Sequence, residues 1–318
     1  MRGPLLAFLA LCGAVLGGHA HAATGTGDRA APSAESVNPG RFGQEADAAY
    51  GAYQRGLYRT AYNLALPRAE AGEPAAQTLV AEILARGLGV PRDEKGAARW
   101  YQAASEQGVP EAQFQYALLL LDGRLVPRDD KGAYALMEAA AEAGNLLAQF
   151  NLAQIIMKRA ATEDALGKAA GYYQRAAEAG LPDAQYALSQ LYAEGFAGKP
   201  KDEAEARKWL DKAARQGFDT AQLDLGSWLV EGRGGAKDES GGFHWLKVAA
   251  ERGNAAAQNR VAKLYMYGVG TPPDNLFAAA WYILARRSGL SDPEMEDFMA
   301  GLTDEETKTA LQRANRLR

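Results

Sequence analysis

This chain has almost no cysteine or histidine, and their scarcity excludes several kinds of chemistry. Its 318 residues include one cysteine, Cys12, and three histidines, His19, His21 and His244. A disulfide framework needs paired cysteines, and a zinc cluster needs several cysteine or histidine ligands. Thiol and serine triads of the usual kind need a histidine base. We therefore predict no catalytic residue, no metal ligand and no cofactor site.

The chain also lacks a surplus of positive charge and a long apolar segment. Lys and Arg total 35 against 39 Asp and Glu, which gives a formal net charge of −4. A mildly acidic protein is poorly suited to bind nucleic acid or anionic lipid. The apolar run from Leu5 to Leu16 is too short to span a bilayer. We expect neither nucleic-acid binding nor a transmembrane segment.

That apolar run has the flanks of a secretory signal. Arg2 precedes it, and Ala20-His21-Ala22 follows it with the small-x-small pattern of a cleavage site. A lipoprotein signal is the alternative, but it would have to use Cys12, and Leu11 stands where such signals need a small residue. We predict a signal peptide over residues 1–22 and a periplasmic or secreted protein.

What the sequence contains instead is an internal repeat. An Ala-Gln pair recurs near the start of each unit, at positions 76–77, 112–113, 148–149, 184–185, 221–222 and 257–258. A glycine closes the units in the same register, at Gly108, Gly144, Gly180, Gly217, Gly253 and Gly289. Two markers with one period indicate an array. The predicted units are 74–109, 110–145, 146–181, 182–218, 219–254 and 255–290.

Each unit is predicted to be a pair of helices, which we name helix A and helix B. In the first repeat, apolar residues from Ala76 to Leu84 follow helical spacing, and Gly87 is suited to a left-handed C-cap of helix A. A loop aspartate is positioned to cap helix B, at Asp93, Asp129, Asp202, Asp238 and Asp274. The third repeat lacks this loop, so its helix A is expected to extend beyond the usual end.

Two columns of helix B pair a large residue with a small one. The first contains Trp100, Leu136, Tyr172, Trp209, Trp245 and Trp281, and the second contains Ala104, Ala140, Ala176, Ala213, Ala249 and Ala285. Helix A has a small column of its own, at Ala81, Ala117, Ala153, Ser189, Gly226 and Ala262. Small residues let helices approach closely while rings fill the space beside them, so we interpret the aromatic column as core rather than a ligand site.

Taken together, these residues resemble the Sel-one-like repeat (SLR) family, a relative of the tetratricopeptide repeat. The likeness rests on Ala-Gln, a small-residue helix, Gly, a loop ending in Asp, and Ala-x-x-Trp-Tyr-x-x-Ala-Ala-x-x-Gly, over residues 74–290. The resemblance implies an all-α, right-handed α-solenoid of helix-turn-helix repeats. It also implies a role in protein–protein contact, with helix A lining a concave face.

The segments on either side of the array depart from its pattern. Residues 23–41 are rich in small and polar residues without periodicity, which predicts a disordered leader. Residues 42–73 predict a tetratricopeptide-like capping hairpin whose second helix should be kinked or shortened by Pro67. Capping-box patterns at Ser291 and Thr303 predict C-terminal capping helices over 291–318. Capped ends favour a monomer.

If helix A lines the concave face, two of its columns that differ between units are candidate partner-binding positions, and we expect them to be exposed. One column contains Leu79, Gln115, Asn151, Asp224 and Arg260, and the other contains Glu82, Gln154, Gln190 and Lys263. Their mixed polarity, without one dominant charge, favours a protein or peptide partner in the groove over a polyanion.

We therefore hypothesise an exported, non-enzymatic scaffold or adaptor that acts through protein contacts in envelope assembly or regulation. The alternative is a peptidoglycan- or polysaccharide-directed binder or hydrolase that uses the same groove. A role as an extracellular effector also stays open. Paired acids such as Asp129 and Asp130 are more simply explained by helix capping than by acid–base catalysis.

Overall fold

The computed structural model describes residues 47–159 and 162–317. All regular secondary structure in these ranges is α-helical. The helices are α1 (Ala48–Gln54), α2 (Tyr58–Glu70), α3 (Pro74–Arg86), α4 (Glu94–Glu106), α5 (Pro110–Asp122), α6 (Asp130–Glu142), α7 (Leu146–Arg159), α8 (Glu163–Glu178), α9 (Pro182–Glu194), α10 (Glu203–Arg215), α11 (Asp219–Glu231), α12 (Glu239–Glu251), α13 (Ala255–Tyr267), α14 (Asn275–Arg287), α15 (Pro293–Ala300) and α16 (Asp304–Arg316). The predicted all-α class is confirmed. The predicted signal peptide and leader lie outside the described residues.

The described chain divides into two compact units, which we name the first unit (47–155) and the second unit (156–317). The first unit has a core built on α1 to α5, around Val80, Ile83 and Tyr101. The second unit contains one core cluster around Leu210 and another around Trp281. Each unit therefore has apolar packing of its own.

The predicted helix boundaries follow from local chemistry. Each loop aspartate accepts a backbone N–H from the first turn of helix B, at Asp93, Asp129, Asp202, Asp238 and Asp274. A cap of this kind contributes about 0.5–2 kcal/mol. Helix A ends at a glycine with positive φ, at Gly87, Gly123, Gly195, Gly232 and Gly268. These positions confirm the predicted caps.

The small columns form the centre of the packing. All six alanines of the helix B column are 0% exposed, and the helix A column from Ala81 to Ala262 is buried throughout. Of the large column, Tyr172, Trp209 and Trp281 are buried, whereas Trp100, Leu136 and Trp245 are partly exposed. The interpretation as core is thus confirmed for three repeats, and Trp100 and Trp245 pack against core clusters while staying partly exposed.

In the fifth repeat the two helices meet at a pair of glycines. A Cβ added to Gly226 of α11 would lie 2.6 Å from Leu246 Cγ and 2.9 Å from the carbonyl oxygen of Gly242. A Cβ on Gly242 of α12 would lie 2.7 Å from the carbonyl oxygen of Gly226. Real side chains do not tolerate such distances, so this crossing requires glycine on both helices.

Two expectations about helix ends need correction, and a third is confirmed. Pro67 does not shorten α2, which continues to Glu70; the carbonyl of Asn63 loses its helical partner, but Asn63 is exposed and can bind water instead. The N-cap of α15 is Asp292 rather than Ser291, since the Asp292 side chain accepts from the first turn. The capping box at Thr303 and Glu306 is confirmed.

The third repeat differs mainly in its second helix. Its helix A, α7, has 14 residues up to Arg159, the last residue described before position 162, whereas the usual length is 13. Its helix B, α8, has 16 residues and is capped by the Thr162 hydroxyl instead of an aspartate. The missing loop is therefore replaced largely by an earlier start of helix B.

The C-terminal helices pack on the sixth repeat. Met295 of α15 and Ala314 of α16 are both 0% exposed and belong to the same cluster as Trp281. The side chain of Arg313 reaches Asp274 at 3.2 Å and lies over the ring of Phe277. These contacts cover apolar surface that the last repeat would otherwise leave open.

Candidate binding surface on the first helices of the repeats

The Ala-Gln pair that sets the register has a structural role. In five repeats the glutamine Nε2 donates to a carbonyl eight residues earlier, in the last turn of the preceding helix B: Gln77 to Ala69, Gln149 to Ala141, Gln185 to Ala177, Gln222 to Ala214 and Gln258 to Ala250. These glutamines are buried. Each of these carbonyls also accepts the backbone N–H of the closing glycine three residues later, so the glutamine adds a second hydrogen bond at a helix C-terminus and links successive helix pairs. The sequence marks the position by its repetition but does not reveal this bond.

The predicted partner-binding residues all lie on helix A, yet several are not at the surface. Leu79 is 8% exposed, Asn151 is 6% exposed and Gln154 is 3% exposed, so the expectation of exposure is wrong for these three. Leu79 belongs to the core of the first unit, and the Asn151 amide donates to the Leu147 carbonyl of its own helix at 2.8 Å. Packing by neighbouring helices covers more of helix A than its polarity indicates.

The other predicted residues keep part of their surface accessible. Arg260 is exposed, and the rest are partly exposed, namely Glu82, Gln115, Gln190, Asp224 and Lys263. We use the name helix A face for these six residues. Three charged residues of this face, Glu82, Lys263 and Asp224, have hydrogen-bonded partners within their own unit. These partners differ from one residue to the next.

In the first unit, Glu82 is the centre of a hydrogen-bonded cluster. Its carboxylate accepts the hydroxyl of Tyr101 at 2.7 Å and pairs with Arg86 at 2.5 Å. Burial raises the pKa of Tyr101, and the Glu82 charge and hydrogen bond raise it further. Burial and the same carboxylate also raise the pKa of Tyr53, whose ring meets Tyr58 edge-on at 5.4 Å. Glu82 is thus paired with a cation and a hydroxyl.

In the second unit, Lys263 is held by the start of α15. Its ammonium group lies 2.8 Å from Asp292 and 2.5 Å from Glu294. Asp292 also accepts from Asn259 at 2.7 Å, and the Tyr267 hydroxyl donates to Glu294. Although burial opposes the change, the two acids raise the pKa of Lys263. This cation therefore ties the C-terminal helices to the sixth repeat.

Asp224, on α11, is in a different situation. Its Oδ2 accepts the hydroxyl of Tyr186 on α9 at 3.0 Å. Burial raises the pKa of Asp224, and it does so despite that hydrogen bond and the more distant charges of Arg260 and Arg233. The side chain is a partly buried carboxylate on the helix A face, and its nearest partner is neutral.

The described ranges contain neither a metal-binding cluster nor a membrane-spanning helix. Between residues 47 and 317, leaving out 160 and 161, no cluster of three or more His, Cys, Asp or Glu side chains could hold a metal ion. Over the same residues, no helix is both long enough and apolar enough to cross a membrane. His244 is exposed on α12.

The helix pairs, their recurring buried columns and their variable helix A positions define an α-helical repeat protein. The Sel1 repeat model matches residues 74–109, 110–145, 146–181, 182–218, 220–254 and 255–290. The chain belongs to the Sel1 repeat family, which confirms the resemblance noted in the sequence. Sel1 repeat proteins generally mediate protein–protein interactions, and the family is typically non-catalytic.

Solved structures of bacterial proteins show the same fold. A Sel1 repeat protein from Oxalobacter formigenes is 32% identical, with 77% of this chain and 70% of that chain covered and a TM-score of 0.62. A protective antigen present in uropathogenic Escherichia coli strains, which displays an SLR fold, is 27% identical with a TM-score of 0.53. That match covers 82% of this chain but 64% of the antigen. No curated protein sequence matches this chain.

Proposed function

We propose that this protein is an exported, non-enzymatic scaffold or adaptor that binds a protein or peptide partner along its helix A face. One observation carries this proposal. The helix A positions needed for packing recur as small buried residues, whereas the accessible ones differ from repeat to repeat. Positions that recur serve the fold, and positions that vary while staying accessible are suited to recognise a particular partner.

The chemistry of the accessible positions suits an extended polypeptide. Gln115 and Gln190 carry amides, which both donate and accept hydrogen bonds and so can bind a peptide backbone. Asp224 and Arg260 add one charge of each sign. A polyanion would require a row of cations, and the second cation of this face, Lys263, is already paired with Asp292 and Glu294.

Export and a monomeric state are parts of the same proposal. The predicted signal peptide over residues 1–22 contains the one cysteine, Cys12, so the processed chain would carry no thiol into an oxidising compartment. The packing of α15 and α16 on the sixth repeat supports a chain that works without stacking on a copy of itself. Envelope assembly or regulation is the setting that we propose.

The test of the partner surface is copurification of the full chain after mild cross-linking in its source cell. Once a partner is recovered, Gln190→Ala and Arg260→Ala should weaken its binding. The matched controls are Arg99→Ala and Gln102→Ala, at exposed positions of helix B. If the controls weaken binding and the helix A variants do not, then the surface is assigned to the wrong helices.

Export has a separate test. Fractionation of the source cell, with sequencing of the protein's N-terminus, should give a periplasmic or secreted chain that begins at Ala23. A full-length chain retained in the cytoplasm would contradict this part of the proposal and would leave the partner surface unaffected.

A further inference from the structure

The carboxylate of Asp224 has a neutral partner and no cation at ion-pair distance. Its Oδ2 accepts from the Tyr186 hydroxyl at 3.0 Å. In the part of the chain that the structure describes, no Lys or Arg forms a salt bridge with it. Removing a carboxylate from water is costly unless a charge partner replaces the lost hydration. The free protein therefore keeps a carboxylate that would gain from a cation.

The two arginines whose charges act on this carboxylate form ion pairs with other acids. Arg260 lies 3.9 Å from Glu231. Arg233 pairs with Glu203 at 3.0 Å and lies 3.9 Å from the ring centre of Trp228. Each arginine thus pairs with another acid, and Asp224 is left without an ion-pair partner.

The other acid of the helix A face provides an internal comparison. Glu82 accepts a tyrosine hydroxyl, as Asp224 does, but it also pairs with Arg86 on the next turn of its helix. Asp224 has the hydroxyl without the cation. A residue retained only to accept from Tyr186 could be an asparagine, which would avoid the cost of desolvating a charge.

The surroundings of Asp224 also suit a long basic side chain. The ring of Tyr186 lies 5.1 Å from the ring of Phe218, and Phe218 is partly exposed at the start of α11. Lysine and arginine bury their aliphatic stems along apolar surface while their charged ends bind an acid. Tyr186 itself is buried, so the accessible part of the Phe218 ring is the surface that can support such a stem, and the carboxylate held by the Tyr186 hydroxyl can accept from its end.

We propose that Asp224 and Tyr186 form a specificity site for a lysine or arginine side chain of the bound protein or peptide. This inference rests on the proposed function, because it names the residue type that the helix A face selects. A partner segment with a basic residue gains a charge-assisted hydrogen bond at this site. A segment with an acidic residue there meets a like charge that is only partly hydrated.

The test is an array of short random peptides probed with the full chain, followed by affinity measurement for the best binders. The variants are Asp224→Asn and the matched control Asp211→Asn, which makes the same chemical change on helix B of the fourth repeat. Wild-type binders should be enriched in lysine and arginine. Asp224→Asn should abolish the enrichment and weaken the best binder about 10-fold to 100-fold, and Asp211→Asn should leave it unchanged.

The outcomes separate this inference from the proposed function. If wild-type binders show no preference for basic residues, or if Asp224→Asn binds them as well as wild type does, the specificity site is disproved while peptide binding stands. If neither wild type nor variant captures any peptide, peptide recognition by the helix A face fails, and the specificity site fails with it. Unfolding curves should show that Asp224→Asn is at least as stable as wild type, since the change removes an under-solvated charge.

Discussion

The two units place a similar acid on helix A and give it different surroundings. In the first unit, Glu82 is held by Tyr101 and Arg86, so its charge is balanced within the fold. In the second unit, Asp224 is held by Tyr186, and the neighbouring arginines pair with other acids. An acid in the helix A columns therefore has no fixed role; the neighbouring side chains decide whether it stabilises the fold or stays available.

A second contrast concerns the small column of helix A. The first unit fits an alanine there, and Ala81 is 0% exposed. In the second unit, the fifth repeat requires a glycine at the matching position, because Gly226 and Gly242 bring α11 and α12 within backbone contact. The same column thus sets different distances between the helices of a pair.

The largest predicted effect comes from this second contrast. Gly226→Ala should lower the free energy of unfolding by about 1–3 kcal/mol, because the added methyl group overlaps Leu246 and the Gly242 backbone. The control is Gly171→Ala in α8, where a Cβ meets nothing within 4 Å. That change should be neutral or stabilise by up to about 1 kcal/mol. Denaturant unfolding measures both, and equal losses would mean that the helices are not in backbone contact.

The next effect tests the two acids directly. Glu82→Ala should cost about 1–2 kcal/mol at neutral pH, because it leaves the buried hydroxyl of Tyr101 without its acceptor. Asp224→Asn should be neutral or stabilising under the same conditions. Chemical unfolding of the variants beside wild type provides the measurement. A large loss on Asp224→Asn would show that Asp224, like Glu82, has a structural role.

Opposite pH dependences should follow from opposite pKa shifts. Asp47 caps α1; burial raises its pKa, but hydrogen bonds from Arg68 and two backbone N–H groups outweigh burial and lower it overall. Its stabilisation is present above the unfolded pKa and is lost as pH falls through the folded value. The pKa of Asp224 is raised by burial, so its penalty is present at neutral pH and disappears as pH falls through the raised value.

Unfolding midpoints between neutral pH and acid therefore sharpen the comparison. Relative to wild type, Asp47→Asn should be destabilised at neutral pH and should converge with wild type in acid. Asp224→Asn should be at least as stable at neutral pH and should also converge in acid. Two curves that deviate in the same direction would contradict the opposite shifts.

The smallest effect is expected at matching exposed positions of helix B. Arg99 in the first repeat and His244 in the fifth both precede the large column and are exposed. Arg99→Ala and His244→Ala should each change the free energy of unfolding by less than about 0.5 kcal/mol. Thermal unfolding is sufficient to check this, and a larger loss at either position would show that the helix B surface takes part in packing.

The sequence predicts those features that depend on local chemistry. Asp93 and Gly87 act through their own helix ends, and Ala104 lies at the same height in every repeat, so their roles can be deduced from type and spacing. The contacts of Leu79, Asn151 and Gln154 depend on how neighbouring helices pack, which spacing does not specify. The hydrogen bond from Tyr186 to Asp224 joins residues 38 positions apart. Asp224 has no cation partner because Arg260 and Arg233 pair with other acids, which the sequence does not specify.

The most direct test of partner binding along helix A is site-specific photo-crosslinking in the source cell. A photoreactive residue is placed either at Gln190 on α9 or at Lys208 on α10, so that helix A and helix B of one repeat are compared. We expect the partner to be captured from position 190 and not from position 208. Capture from position 208 alone would contradict a binding surface on the first helices of the repeats.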